Sequence, residues 1–172
     1  MARSTIHPGG SAPPACLNLT KAELDERYHA LGRFYKLGGG PGPAHPCRHV
    51  LEIFRVRAAA AESRSLVPTH TGQTACCDAI FVMMNAGESE PLATVEATQP
   101  EDAHLVPTKP DKTQYQVMRL MEGFGWNHVR VLNLSDLRES QSAELHGKLS
   151  AFEGDDHRHS IFSSSRRNEL PT

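Results

Sequence analysis

Two asparagines stand at positions where a side-chain amide can do chemistry. Asn85 follows the apolar run Ala79-Ile80-Phe81-Val82-Met83-Met84 and leads into Ala86-Gly87, with Ser89 just beyond. Asn133 follows His128-Val129-Arg130-Val131-Leu132 and leads into Leu134-Ser135-Asp136. A carboxamide carries an acceptor and two donors. One such group suits positioning a water molecule, and another suits reading the edge of a base taken out of its stack. Either asparagine alone fits an ordinary strand-end turn, because Asn tolerates the left-handed conformation and bonds locally. The repeated layout favours a site. We therefore take Asn85 as the catalytic candidate and Asn133, Gly87, Ser89, Lys109 and Asp136 as ligand-binding candidates.

Each of the remaining polar features also has a plain structural reading. Lys109 and a following helix N-terminus suit an anion, but Asp111 as the cap would already occupy the positive end. Ser135-Asp136 can orient water or a ligand hydroxyl, and equally can cap the next element. His157-Arg158-His159, beside Asp155 and Asp156, offers two ligands on one side of an extended segment. Cys16, Cys47, Cys76 and Cys77 add no zinc spacing, so a solvated loop is the simpler reading. No metal and no cofactor are expected.

The elements that must position these residues are a strand, a helix and a second strand. The six apolar residues before Asn85 read as a fully buried strand. Asp111 and Gln114 form a capping box for a helix whose stripe is Val117, Leu120, Met121 and Phe124, with Gly123 and Gly125 as its stop. Trp126 then turns the chain into the strand that ends before Asn133. Such a crossover makes two parallel strands and puts both asparagines at the carboxyl edge, where open α/β sheets bind ligands.

Around this unit the signals are weaker. Thr20-Lys21-Ala22-Glu23 has the capping-box form, and Leu24, Tyr28 and Leu31 continue a helix that Gly32 closes. Gly38-Gly39-Gly40-Pro41-Gly42-Pro43 lacks the Lys-Ser/Thr of a phosphate loop and reads as a linker. His49 to Val56 reads as an antiparallel edge strand. Residues 57–75 form a short helix or loop. Glu88 to Thr108, punctuated by Pro91, Pro100 and Pro107, reads as a long loop roofing a pocket shared by Asn85 and Asn133. A last helix spans Ser142 to Phe152 and breaks at Gly154-Asp155-Asp156.

Composition bounds the class. With 172 residues and 38% hydrophobic content the chain suits one domain, and 13 Gly with 12 Pro imply much loop. We expect a disordered tail over residues 1–18 and a single α/β domain over 19–172. A net charge of −2 gives no general attraction to nucleic acid or membrane. No apolar run approaches the roughly 20 residues that span a bilayer. The absence of an apolar leader and of a disulfide framework points to the cytoplasm.

The blocks FVMMNAGESEPL, KPDKTQYQVMRLMEGFGWNHVRVLNLSDLRESQSAEL and HSIFSSSRRNEL resemble successive blocks of the bacterial family called domain of unknown function 1643. In that family the first strand usually ends in Asn-Pro followed by a serine; here Ala86 replaces the proline and Ser89 is nearby. In block order the family also resembles the uracil-DNA glycosylase superfamily. There a first strand ends in a water-positioning Asp or Asn, and a later one in an Asn that reads the base. That resemblance implies the first role for Asn85 and the second for Asn133. The superfamily's later Trp-Gly strand and His-Pro motif have no counterpart here. The expected fold is thus α/β, a partial three-layer sandwich with a short, mostly parallel sheet, truncated at the C-terminus. The expected function is binding of a nucleobase, nucleotide or single-stranded nucleic acid at the carboxyl ends of the parallel strands, with glycosylase-like chemistry as the enzymatic form. The alternative is a non-enzymatic ligand-binding or interaction protein. The oligomeric state is open.

Overall fold

The computed structural model describes residues 18–38, 43–56, 77–152 and 158–169. The expected tail up to residue 17, the core of the glycine linker, the stretch from 57 to 76, and Gly154, Asp155, Asp156 and His157 lie outside the described residues.

Helix α1 (Lys21–Arg27) starts as its capping box dictates: Thr20 Oγ1 accepts from the Glu23 amide, and the Glu23 carboxylate accepts from the Thr20 amide. The helix is shorter than expected. At Tyr28 the backbone becomes extended, and β1 (Tyr28–Leu37) takes over the residues whose spacing had suggested more helix. Strand β1 is flanked by β2 (His45–Arg55) and β5 (Leu105–Lys109), both antiparallel. Pairing on two sides satisfies its backbone groups, which outweighs a weak local propensity. Gly32 is therefore not a helix stop. It lies in mid-strand, where a Cβ would sit 2.5 Å from the Phe34 ring and 2.8 Å from Thr108 Oγ1.

The six strands run in the order β3 (Ala79–Asn85), β6 (His128–Ser135), β2, β1, β5, β4 (Glu90–Pro91). The β3–β6 pair is parallel and the rest of the ladder antiparallel. The fold is α/β with a mixed sheet, and the expectation of a mostly parallel one is corrected. Three positions change with it. Strand β2 is interior, between β6 and β1, and is buried continuously from Cys47 to Ile53. Strand β3 is at the sheet's edge, so one of its faces is open: Ile80, Val82 and Met84 are 43%, 57% and 49% exposed, while Ala79, Phe81 and Met83 pack on the core. The expected loop from Glu88 to Thr108 contains β4 and most of β5.

One face of the sheet is covered by α2 (Lys112–Phe124) and α1. Val117, Met118 and Met121 of α2 cluster with Leu24, Leu51, Ile53, Val129 and Val131. The apolar stripe is rotated from the expected one, because Met118 and not Leu120 faces the sheet; Leu120 and Phe124 are exposed. Glu122 fixes this orientation by accepting from Arg27, Tyr28 and Arg55. Asp111 caps α2 with Gln114 as its reciprocal partner, and Gly125, at φ 69°, ends it. On the other face, Leu145 of α3 (Ser142–Ala151) clusters with Tyr35, Cys47 and Leu137, and Ile161 clusters with Val50 and Leu132. No helix among the described residues is long and apolar enough to cross a membrane.

Met118 is fully buried and Leu92 largely exposed. Met118→Ala is expected to cost about 2–5 kcal/mol of unfolding free energy, and Leu92→Ala less than about 0.5 kcal/mol. Urea titration of both variants checks this.

Candidate functional site

The carboxyl ends of β3 and β6 differ in height. Asn85 pairs with Ser135, and Asn133 pairs with Met83, so Asn133 sits inside β6 and not beyond its end. That offset separates the two amides in function. Asn85 Nδ2 donates to the carbonyls of Leu137 and Glu139, fastening β3 to the segment that leaves β6. Its Oδ1 has no partner among the described residues. Asn133 is fully buried and exchanges two bonds with Arg48: Nδ2 donates to the Arg48 carbonyl at 3.0 Å, and Oδ1 accepts from Arg48 Nη2 at 3.2 Å.

Above this lies a groove with two connected lobes, sharing Gly87, Glu88, Asp111, Glu139 and Ser140. One lobe, about 510 Å³, is walled by Met83, Met84, Asn85, Lys112 and Thr113. The other, about 440 Å³, is walled by Pro46, Glu90, Lys109, Pro110 and Arg138. Gly87 is needed at the junction: its φ is 61°, and a Cβ there would stand 2.9 Å from Asp111 Oδ2.

Several charges on the walls are already engaged. Asp111 Oδ1 accepts from the Thr113 and Gln114 amides. Glu139 takes an ion pair from Lys148 and hydrogen bonds from the Ser140 and Gln141 amides. Led by the Lys148 bond, these hold its carboxyl down at about 2. Arg138 lies over the Phe34 ring, and its Nη2 is 3.9 Å from a Glu90 carboxylate oxygen.

A second polar assembly lies behind the groove, around the fully buried Asp136. Its Oδ2 accepts from Tyr35 Oη at 3.1 Å and lies 3.1 Å from His49 Nδ1; its Oδ1 accepts from Arg166 Nη1 at 3.0 Å. Burial pushes the Asp136 carboxyl up, and its bond to His49 and the Arg166 charge pull it back. Burial also raises the Tyr35 phenol and, to about 12, the Cys47 thiol, with the Asp136 charge adding to both. A bulge in the β1–β2 ladder makes His49 the extra residue, since Arg33 pairs with Val50 and Phe34 with Arg48.

Of the residues picked out in the sequence, Asn85, Gly87 and Lys109 line the groove. Ser89 is buried beneath it, accepting from Arg48 Nη1. Asn133 and Asp136 are fully buried and line neither lobe, so the two asparagines do not share a pocket. Sequence reading missed Arg48, Arg138 and Glu139, whose positions depend on strand pairing and follow no motif. His159 is buried with Nδ1 3.1 Å from Ser135 Oγ. Among the described residues no three His, Cys, Asp or Glu side chains are grouped to hold a metal.

No family model, curated protein or solved structure matches the chain.

Two outcomes test this geometry. Asp136→Ala leaves Arg166 buried beside an emptied position and is expected to cost about 3–5 kcal/mol by denaturant unfolding. Glu139, with its carboxyl held low, contributes stability that is complete above the ordinary carboxylate range and is lost as pH falls toward 2. Lys148→Met should flatten that acid limb in thermal unfolding followed between about pH 5 and pH 2.

Proposed function

We propose that the groove binds a nucleobase or nucleotide, with Asn85 as the residue that recognises the base. The observation that carries this reading is that Asn85 lines the groove with an Oδ1 that has no partner among the described residues, held in place because the amide nitrogen is tied to two carbonyls. A fixed acceptor on a lobe wall that Met83 also lines suits a flat heterocycle with an N–H on its edge. The location, at the carboxyl end of the parallel pair, is the usual ligand position in open α/β sheets. In the glycosylase superfamily that the sequence resembles, the base-reading asparagine corresponds to Asn133, which is buried here, so this reading moves base recognition to Asn85.

The lining is mixed in charge: Glu88, Glu90, Asp111 and Glu139 stand against Lys109, Lys112 and Arg138. Such a surface gives no continuous basic track for a polyanion. A single base or nucleotide is therefore favoured over a long strand. Of the three carboxylates shared by both lobes, Asp111 and Glu139 serve a helix cap and a lysine and are not poised to activate water; Glu88 is the third.

Calorimetry with the four common nucleobases, nucleosides and nucleotides tests the reading. Asn85→Ala is expected to weaken the preferred ligand by roughly 2- to 12-fold, the equivalent of one neutral hydrogen bond of about 0.5–1.5 kcal/mol. Absence of binding by every member of the panel at millimolar concentration would sink it.

A further inference from the structure

The two edges of the sheet are built differently. At one, β4 is two residues long, Glu90 and Pro91, a charge and a residue without an amide hydrogen. Short length, charge and proline keep a sheet edge from pairing further. At the other, β3 runs for seven residues, Ala79–Asn85, with no charge and no proline. Among the described residues it pairs with β6 alone, so its outer backbone edge is open.

Apolar surface flanks that edge on both faces of the sheet. On one face Ile80, Val82 and Met84 are exposed, and so is Leu134, which the ladder sets beside Met84. On the other, Trp126 packs edge-on against Phe81, and the exposed Phe124 stacks on Trp126 with ring centroids 4.7 Å apart. Leu120, exposed one helical turn before Phe124, continues that side of α2. Scattered exposed apolar residues are ordinary, but a set gathered around an open edge marks an interaction surface.

The residue order of β3 selects the partner. Its exposed side chains are symmetric about Val82. A second β3, antiparallel and centred there, sets Val82 against Val82 and Ile80 against Met84, all on one face. The two-fold axis then stands perpendicular to the sheet, so both copies of α2 lie on the same side of it. Asp78, the charge just before the strand, falls at opposite ends of the pair, so like charges do not meet. The surface is also large enough. At about 200 Å² for a large residue, exposures of 38% to 66% leave roughly 600 Å² on the six residues Ile80, Val82, Met84, Leu120, Phe124 and Leu134. Stable interfaces take about 800 Å² from each partner, a little over half of it apolar.

We infer that β3 is a dimer interface, where two copies of this chain join edge to edge into one continuous sheet. The short β4 edges then lie at both ends, which closes the assembly at two copies.

The test is sedimentation equilibrium of the full chain from micromolar to millimolar concentration, beside Val82→Lys, Val82→Glu, Phe124→Ser and Leu92→Lys. The expected result is a reversible dimer. Val82→Lys and Val82→Glu should each weaken it at least about tenfold, because position 82 meets itself on the axis and like charges oppose. Mixing those two variants should restore association between them, as self-contact at that position requires. Leu92→Lys, at an exposed residue by the opposite edge, should leave the dimer unchanged. If Val82→Lys fails to fold by circular dichroism, Phe124→Ser, at an exposed helix position, carries the same expectation of weaker association. A chain that stays monomeric throughout, open-ended association, or a dimer untouched by changes at Val82 and Phe124 overturns the inference.

Discussion

The Asp136 carboxylate, at the end of β6, is where four parts of the chain are tied together. Tyr35 reaches it from β1, His49 from the bulge in β2, and Arg166 from the short helical turn after α3. Its own backbone continues the tie, accepting from the Arg48 amide at 2.8 Å and donating to the His159 carbonyl at 2.7 Å. A fully buried carboxylate must be compensated at every lone pair or it is lost as a charge. Here three side chains satisfy it, and each comes from a segment distant in sequence. The groove lies at the same strand end, where Arg138 and Glu139 follow Asp136 in the chain and line its walls.

The path from cluster to groove runs through single residues. Arg48 donates its own amide to the Asp136 carbonyl, and its guanidinium donates to Ser89 below the groove and to Asn133 within β6. Asn85 binds the carbonyls on either side of Arg138, which sets the position of that arginine on the wall. Gly87 and Asp111 bring the turn after β3 against the start of α2. Each contact closes a long sequence separation, and together they define two lobes where a looser arrangement would give one shallow depression.

Stability and binding are opposed in this arrangement. Asp136 is a buried carboxyl bonded by three side chains, and it serves architecture. Arg48 is a buried charge whose direct hydrogen bonds go to neutral groups, and burial depresses its pKa against the opposing charges of Asp111 and Asp136. A core selected for stability alone would replace such a group with an apolar side chain of similar volume. The open face of β3, with Ile80, Val82 and Met84 alternately exposed, is a separate departure from a closed core.

Local chemistry was legible in the sequence. The capping boxes at Thr20 and Asp111, the stop at Gly125 and the parallel strand–helix–strand unit follow from signals a few residues long, which neighbouring side chains alone can satisfy. The need for Asn85 and Gly87 at the end of that first strand was visible for the same reason. The rest was decided by pairing across the sheet. The apolar run of β3 reads as buried, but an edge strand buries one face, and no local signal says which strand lies outermost. Tyr28 and Leu31 suit a helix until β2 supplies a partner for both and β5 a second one for Leu31. Asn133 and Asp136 have the composition of a binding site, yet strand register turns them inward to Arg48, His49 and Arg166. Arg48 and Arg138 carry no motif at all, and only the tertiary fold buries the one and sets the other on the groove wall.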